Sequence, residues 1–184
     1  GPTMSYKSWM DGRDEGQLWE RYRWQGLAFG SIVADRPESD RRGRWVLKAP
    51  QHQIQLDQLF RLFPDARVIR MHRDPIKAMA SVASLIECAA TIMNRHVDLW
   101  RGEELLGLFR DWQEKGDEGM AAHPGAVLEV RYDDLVENPM AFVERVHAFA
   151  GIPVSDQHHA AVNTYLAKRP QHHFGRHRYR LEEY

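Results

Sequence analysis

Cysteine is nearly missing from this chain. Cys88 stands alone among 184 residues, so no intramolecular disulfide can form and the chain fits a reducing compartment. Long apolar runs are missing too: none approaches the roughly 18 residues of a membrane span, and no charged-then-apolar signal opens the sequence. Neither sign of charge prevails, since 25 Lys and Arg against 26 Asp and Glu leave a formal net charge of −1. That balance argues against nucleic-acid binding driven by bulk electrostatics, while a local phosphate site stays open. There is no internal repeat and no low-complexity segment. What is present, 43% hydrophobic and 28% charged residues over a length that supports one sizeable core, describes a soluble globular protein. The expectation is one domain over residues 1–184, cytoplasmic, with no membrane span.

Periodicity then organises the chain. Leu18, Tyr22, Phe29 and Val33 recur at helical spacing between about Asp14 and Val33. The polar stretch "ADRPESDRRGR" reads as an exposed connection, and "WVLKAP" as a short buried strand stopped by Pro50. Residues 52–63 put Leu56, Leu59, Phe60 and Phe63 on one helical face, and "RVIRMH" is a second strand. Strand, helix, strand at this spacing is the signature of a parallel sheet. A helix follows with Ile76, Met79, Ala83 and Ile86 inward, then a second from about His96 to Met120. "AVLEVRYDDL" is a third strand; "ENPMAFVERVHAFAGI" and Ser155 to Lys168 are two further helices, the first with Pro139 near its start and Gly151 at its end. The fold class is therefore α/β, with at least three parallel strands and helices on both faces.

In open α/β sheets ligands bind beyond the carboxyl ends of the strands. Two such ends carry charged residues: "LKAPQH", with Lys48 and His52, and "HRDP", with Arg73, Asp74 and Pro75. Asp74 suits an N-cap and Pro75 the first helical position, which sets Arg73 just before a helix N-terminus. Unsatisfied N–H groups, the helix dipole and a guanidinium fork form an anion site suited to phosphate. Ser81 lies about two turns into that helix and shares a face with Lys77. The competing reading is an Arg73–Asp74 pair and a packing serine; for Lys48 it is a plain solvated lysine.

Two other motifs fail. "HRD" matches the start of a protein-kinase catalytic loop, but Met79 stands where that loop needs Asn, and no DFG follows. "GLAFGS", Gly26 to Ser31, lacks the Lys-Ser/Thr ending of a phosphate-binding loop and lies inside a helical pattern. The histidines of the tail, His172, His173 and His177, and the pair His158-His159 lack the spacing of a zinc site, so no metal is expected.

The segment "RWVLKAPQHQIQLDQLFRLFPDARVIRMHRDPIKAMASVASL", Arg44 to Leu85, closely resembles the central part of bacterial-type sulfotransferases, where a "WVLKSP-H" element precedes "FPDA", a strand and "HRDP…S". "SYKSW", "VRYDDLVENP" and "GRHRY" resemble that family in the same order, so the likeness covers nearly the whole chain. The resemblance implies a P-loop-NTPase-like sulfotransferase fold and an enzyme that uses 3′-phosphoadenosine 5′-phosphosulfate (PAPS) as co-substrate. It implies that Arg73 and Ser81 bind the 3′-phosphate, that Lys48 faces the bridging oxygen or the acceptor, and that His52 is the nearest candidate general base in that element. Gly175, Arg176 and His177 match, more loosely, the loop that closes over the nucleotide.

One departure stands beside these matches. Family members begin with a strand and a loop close to "PRSGTT" that grips the 5′-phosphosulfate, and no such segment occurs here. The expectation is a C-terminal portion of the fold, with its sheet edge covered by a missing N-terminal segment or by a second copy. A non-catalytic nucleotide-binding or interaction module, or an inactive fragment, is the alternative reading. The acceptor, a small molecule with a hydroxyl or amine, is not legible.

Overall fold

The computed structural model describes residues 12–38, 44–92, 103–170 and 173. The chain divides into two compact units, Gly1–Ala66 with Asp111–His123, and Arg67–Arg110 with Pro124–Tyr184.

The first unit opens with α1, Glu15–Ala34. Its start is written in the sequence: the Asp14 carboxylate accepts from the Gln17 amide at 2.8 Å, and the Gln17 side chain accepts from the Asp14 amide at 3.3 Å. This reciprocal capping box satisfies two amides that a helix start leaves without partners. "GLAFGS" lies inside this helix, as its pattern indicated. A 3₁₀ turn, Pro50–Ile54, follows with proline at its first position, and α2, Leu56–Leu62, comes after a break at Gln55. The expected single helix over 52–63 is thus two pieces, because Gln55 adopts φ −142° and ψ 40°, outside the helical region. Leu56, Leu59 and Phe60 are buried as their spacing required. Gly26 approaches Leu62 closely, and the Phe60 ring lies 4.5 Å from that of His123.

The expected buried strand at "WVLKAP" does not form. Residues 44–49 carry no regular structure, and Val46 is 93% exposed. A strand needs a neighbour to take its N–H and C=O groups; among the described residues only two strands pair, and this segment joins neither. Trp45 instead stacks on Phe29 at 4.9 Å.

The second unit holds those two strands, β1 (Val68–His72) and β2 (Val127–Arg131). They pair parallel, from Val68 opposite Val127 to His72 opposite Arg131. Between them in sequence lie α3, Pro75–Ile92, and α4, Glu103–Ala122, whose last part from Asp111 belongs to the first unit. After β2 come α5 (Tyr132–Glu137), α6 (Pro139–Ala150) and α7 (Asp156–Lys168). The strand expected across "AVLEVRYDDL" therefore ends at Arg131, and "YDDL" is helical. Asn138 caps α6 by accepting from Ala141 at 3.1 Å, and Gly151 closes that helix at φ 63°, a left-handed position that favours glycine. Ser155 caps α7.

Burial in this unit differs from the expected helix face. On α3 Ala83 is buried as expected, but Ala80 joins it, while Ile76 is 57% exposed. Along β1 the alternation is inverted: Arg70 is buried, whereas Ile69 and Met71 are exposed. Arg70 can sit there because its register partner Glu129 brings a carboxylate to 3.7 Å, and a buried cation needs such a partner.

Candidate active site

The carboxyl end of β1 presents the charged turn that the sequence singled out. His72 is the last strand residue, Arg73 and Asp74 form the link, and Pro75 begins α3. Asp74 caps the helix: its Oδ1 accepts from the Ile76 amide at 2.9 Å and, more weakly, from the Lys77 amide at 3.4 Å. These two amides are thus committed to Asp74, which corrects the expectation that they stand open to a ligand. Arg73 does not pair with Asp74; the Asp74–Lys77 ion pair, 3.9 Å and exposed, is weak. The Arg73 guanidinium instead lies over the Tyr132 ring, 4.8 Å from its centroid. Tyr132 directly follows β2, so the two strand ends supply the cation and the platform that steadies it.

Ser81 is half-buried on α3. Thr91, on the same helix, ties its hydroxyl to the Glu87 carbonyl at 2.9 Å. The Ser81 hydroxyl makes no such bond among the described residues. Across the strands, His72 Nε2 lies 2.8 Å from a Glu129 oxygen, and Arg145 donates to the Glu129 carbonyl at 3.0 Å. Glu129 is thereby fixed between three basic side chains, Arg70, His72 and Arg145.

Lys48 and His52 belong to the first unit. Lys48 is exposed and has no ion pair or hydrogen bond among the described residues. His52 sits in the 3₁₀ turn, half-buried, with Nδ1 at 3.0 Å from the Tyr22 hydroxyl. Burial, assisted by the Arg21 cation, lowers the His52 pKa below its ordinary 6.5, so the ring is neutral at pH 7. Burial pushes the Tyr22 phenol up to about 12, against a smaller opposing pull from Arg21. Three residues on, Gln55 is buried and its side-chain oxygen has no hydrogen-bond partner among the described residues.

Gly175, Arg176 and His177 lie outside the described residues, as do "SYKSW", Trp9, Trp100 and His172. Among the described residues no group of three His, Cys, Asp or Glu is placed to hold a metal, and no helix is long and apolar enough to cross a membrane. Tyr132 and Tyr22 escaped the sequence reading of the site. Tyr132 follows a strand end, a positional signal that could have marked it; Tyr22 looked like any other residue of an apolar stripe.

A model of the sulfotransferase family matches residues 2–156. The chain belongs to that family. Its relatives include the omega-hydroxy-beta-dihydromenaquinone-9 sulfotransferase Stf3 of Mycobacterium bovis and of Mycobacterium tuberculosis, each 27% identical over 69% of this chain and 34% of the relative. Among solved structures, sulfotransferase STF9 from Mycobacterium avium is 27% identical with a TM-score of 0.64, over 77% of this chain and 37% of that one. Sulfotransferase STF1 from Mycobacterium tuberculosis is 26% identical with a TM-score of 0.57, over 69% of this chain and 35% of that one. The α/β sulfotransferase fold is thus shared, and this chain spans about a third of the length of its relatives.

Proposed function

We propose that this chain is the portion of a sulfotransferase that holds the 3′-phosphate of PAPS and carries residues of the transfer step, with a hydroxyl or amine on a small molecule as acceptor. One observation carries the reading: Arg73, at the carboxyl end of a parallel strand, is exposed, steadied by an aromatic ring, and paired with no carboxylate among the described residues. A guanidinium so held suits a dianionic phosphate, and Ser81 adds an unused hydroxyl. The family membership supports a sulfuryl donor, for which the reading takes PAPS, and the relatives named for an omega-hydroxy compound favour an alcohol acceptor.

In sulfuryl transfer the acceptor oxygen forms a bond to sulfur as the bond from sulfur to the 5′-phosphate oxygen breaks. Charge spreads over the moving group, so positioning and cationic stabilisation do most of the work, as in phosphoryl transfer. In this reading Lys48 offsets charge gathering on the leaving phosphate, and His52 carries the imidazole that meets the reacting groups. Gly175, Arg176 and His177 are assigned to closure over the nucleotide.

The test is a thermal-shift titration with 3′-phosphoadenosine 5′-phosphate, with ATP and AMP as controls. Stabilisation is expected with the first nucleotide alone, and Arg73→Ala is expected to abolish it; a concentration a hundredfold above Kd adds about 2.7 kcal/mol. An equal response to all three nucleotides, or none to any, would sink the proposal. Assay of radiolabelled sulfate transfer then separates the enzyme from a binding module, because a module binds the nucleotide without turnover.

A further inference from the structure

The Tyr22–His52 pair decides which way a proton can move at His52. Tyr22 is 1% exposed, and its hydroxyl has a single hydrogen-bond partner among the described residues, Nδ1 of His52 at 3.0 Å. Both residues belong to the first unit, and the rings stand 5.9 Å apart, centre to centre. A hydroxyl in this position can donate to an unprotonated Nδ1 or accept from a protonated one, and these alternatives set opposite tautomers. If Nδ1 carried the hydrogen, the phenolic hydrogen would be buried with no acceptor among the described residues. If Nδ1 is bare, the phenol donates to it and the buried phenolic hydrogen has its acceptor. Leaving a buried donor unmade shifts such an equilibrium by about 5- to 150-fold.

We propose that Tyr22 is a positioning residue that holds neutral His52 with its hydrogen on Nε2, so that His52 meets the reacting groups as a hydrogen-bond donor and not as a base. The inference rests on the sulfotransferase reading for what His52 faces, but the tautomer itself does not. Nε2 has no partner among the described residues, which leaves its N–H for an oxygen of the sulfuryl group or of the acceptor. Nε2 cannot take the acceptor's proton while it bears one, and moving that proton to Nδ1 strands the Tyr22 hydroxyl. The acceptor's proton therefore passes to water as the new S–O bond forms and the bond to the phosphate oxygen breaks. The proposal stands against the expectation of His52 as general base, and the experiment below separates the two.

The test reads the ring nitrogens directly. Two-bond ¹H–¹⁵N correlation spectra of the full chain at pH 8, with His52→Gln used to assign the signals, report which nitrogen is protonated. Nδ1 is expected in the bare, pyridine-like range and Nε2 in the protonated, pyrrole-like range, with the preference at least about fivefold. Tyr22→Phe is expected to erase most of that preference. A protonated Nδ1 in the wild type, near-equal tautomers, or an unchanged preference in Tyr22→Phe would overturn the proposal; should that variant not fold, the wild-type spectrum alone decides. Failure of nucleotide binding would sink the sulfotransferase reading while leaving the tautomer assignment in place, so the two failures are distinguishable.

Discussion

Arg73 owes its pose to Tyr132. An arginine side chain carries about 2 kcal/mol of rotamer entropy, and a ring under the guanidinium removes part of that freedom before any phosphate arrives. An exposed cation–π contact contributes about 0.5–1 kcal/mol. Tyr132→Ala is therefore expected to weaken 3′-phosphoadenosine 5′-phosphate binding roughly two- to fivefold, while Tyr132→Phe, which keeps the ring, binds within about twofold of wild type. Calorimetric titration of both variants checks this; equal losses would show that the hydroxyl, not the ring, carries the effect. The "HRDP" turn was legible because its residues are adjacent in the chain. Tyr132 was not, because it lies 59 positions from Arg73 and meets it through the pairing of β1 with β2.

At the scale of elements, helix starts were the most readable feature, since capping is a bargain between near neighbours: Asp14 with Gln17, Asn138 with Ala141, Ser155 with His158. Packing was less readable. Gly119 on α4 shows why: a methyl group added there would stand 3.0 Å from Cβ and 3.1 Å from Cδ1 of Leu56, whereas one added at Gly30 on α1 meets nothing within 4 Å. Glycine to alanine in a helix interior gains about 1 kcal/mol from propensity, and overpacking costs about 1–3 kcal/mol. Gly30→Ala is thus expected to raise the urea midpoint and Gly119→Ala to lower it. A rise of similar size in both variants would contradict the contact with Leu56, whose Cβ is tethered to the backbone and has little room to yield.

Over the whole molecule the Tyr22–His52 pair sets limits on pH. His52 has a folded pKa below its unfolded 6.5, so its contribution to stability is complete above 6.5 and is lost as pH falls through the lower folded value. Tyr22 has the opposite sign: raised from 10.0 to about 12, its contribution is complete below 10 and is lost as pH rises toward 12. Urea unfolding across pH is expected to show both limbs, with the alkaline one flattened in Tyr22→Phe relative to wild type; an unchanged alkaline limb would refute the buried phenol. The sequence by itself determined the α/β class and the capped helix start at the "HRDP" turn, because each rests on residues close together in the chain. Only the tertiary structure decided that "WVLKAP" stays out of the sheet, that Arg70 turns inward toward Glu129, and that Tyr22 holds His52. A strand needs a partner, a buried charge needs its counter-ion, and a tautomer needs the atom on the other side of the hydrogen bond; each of these comes from a distant part of the chain.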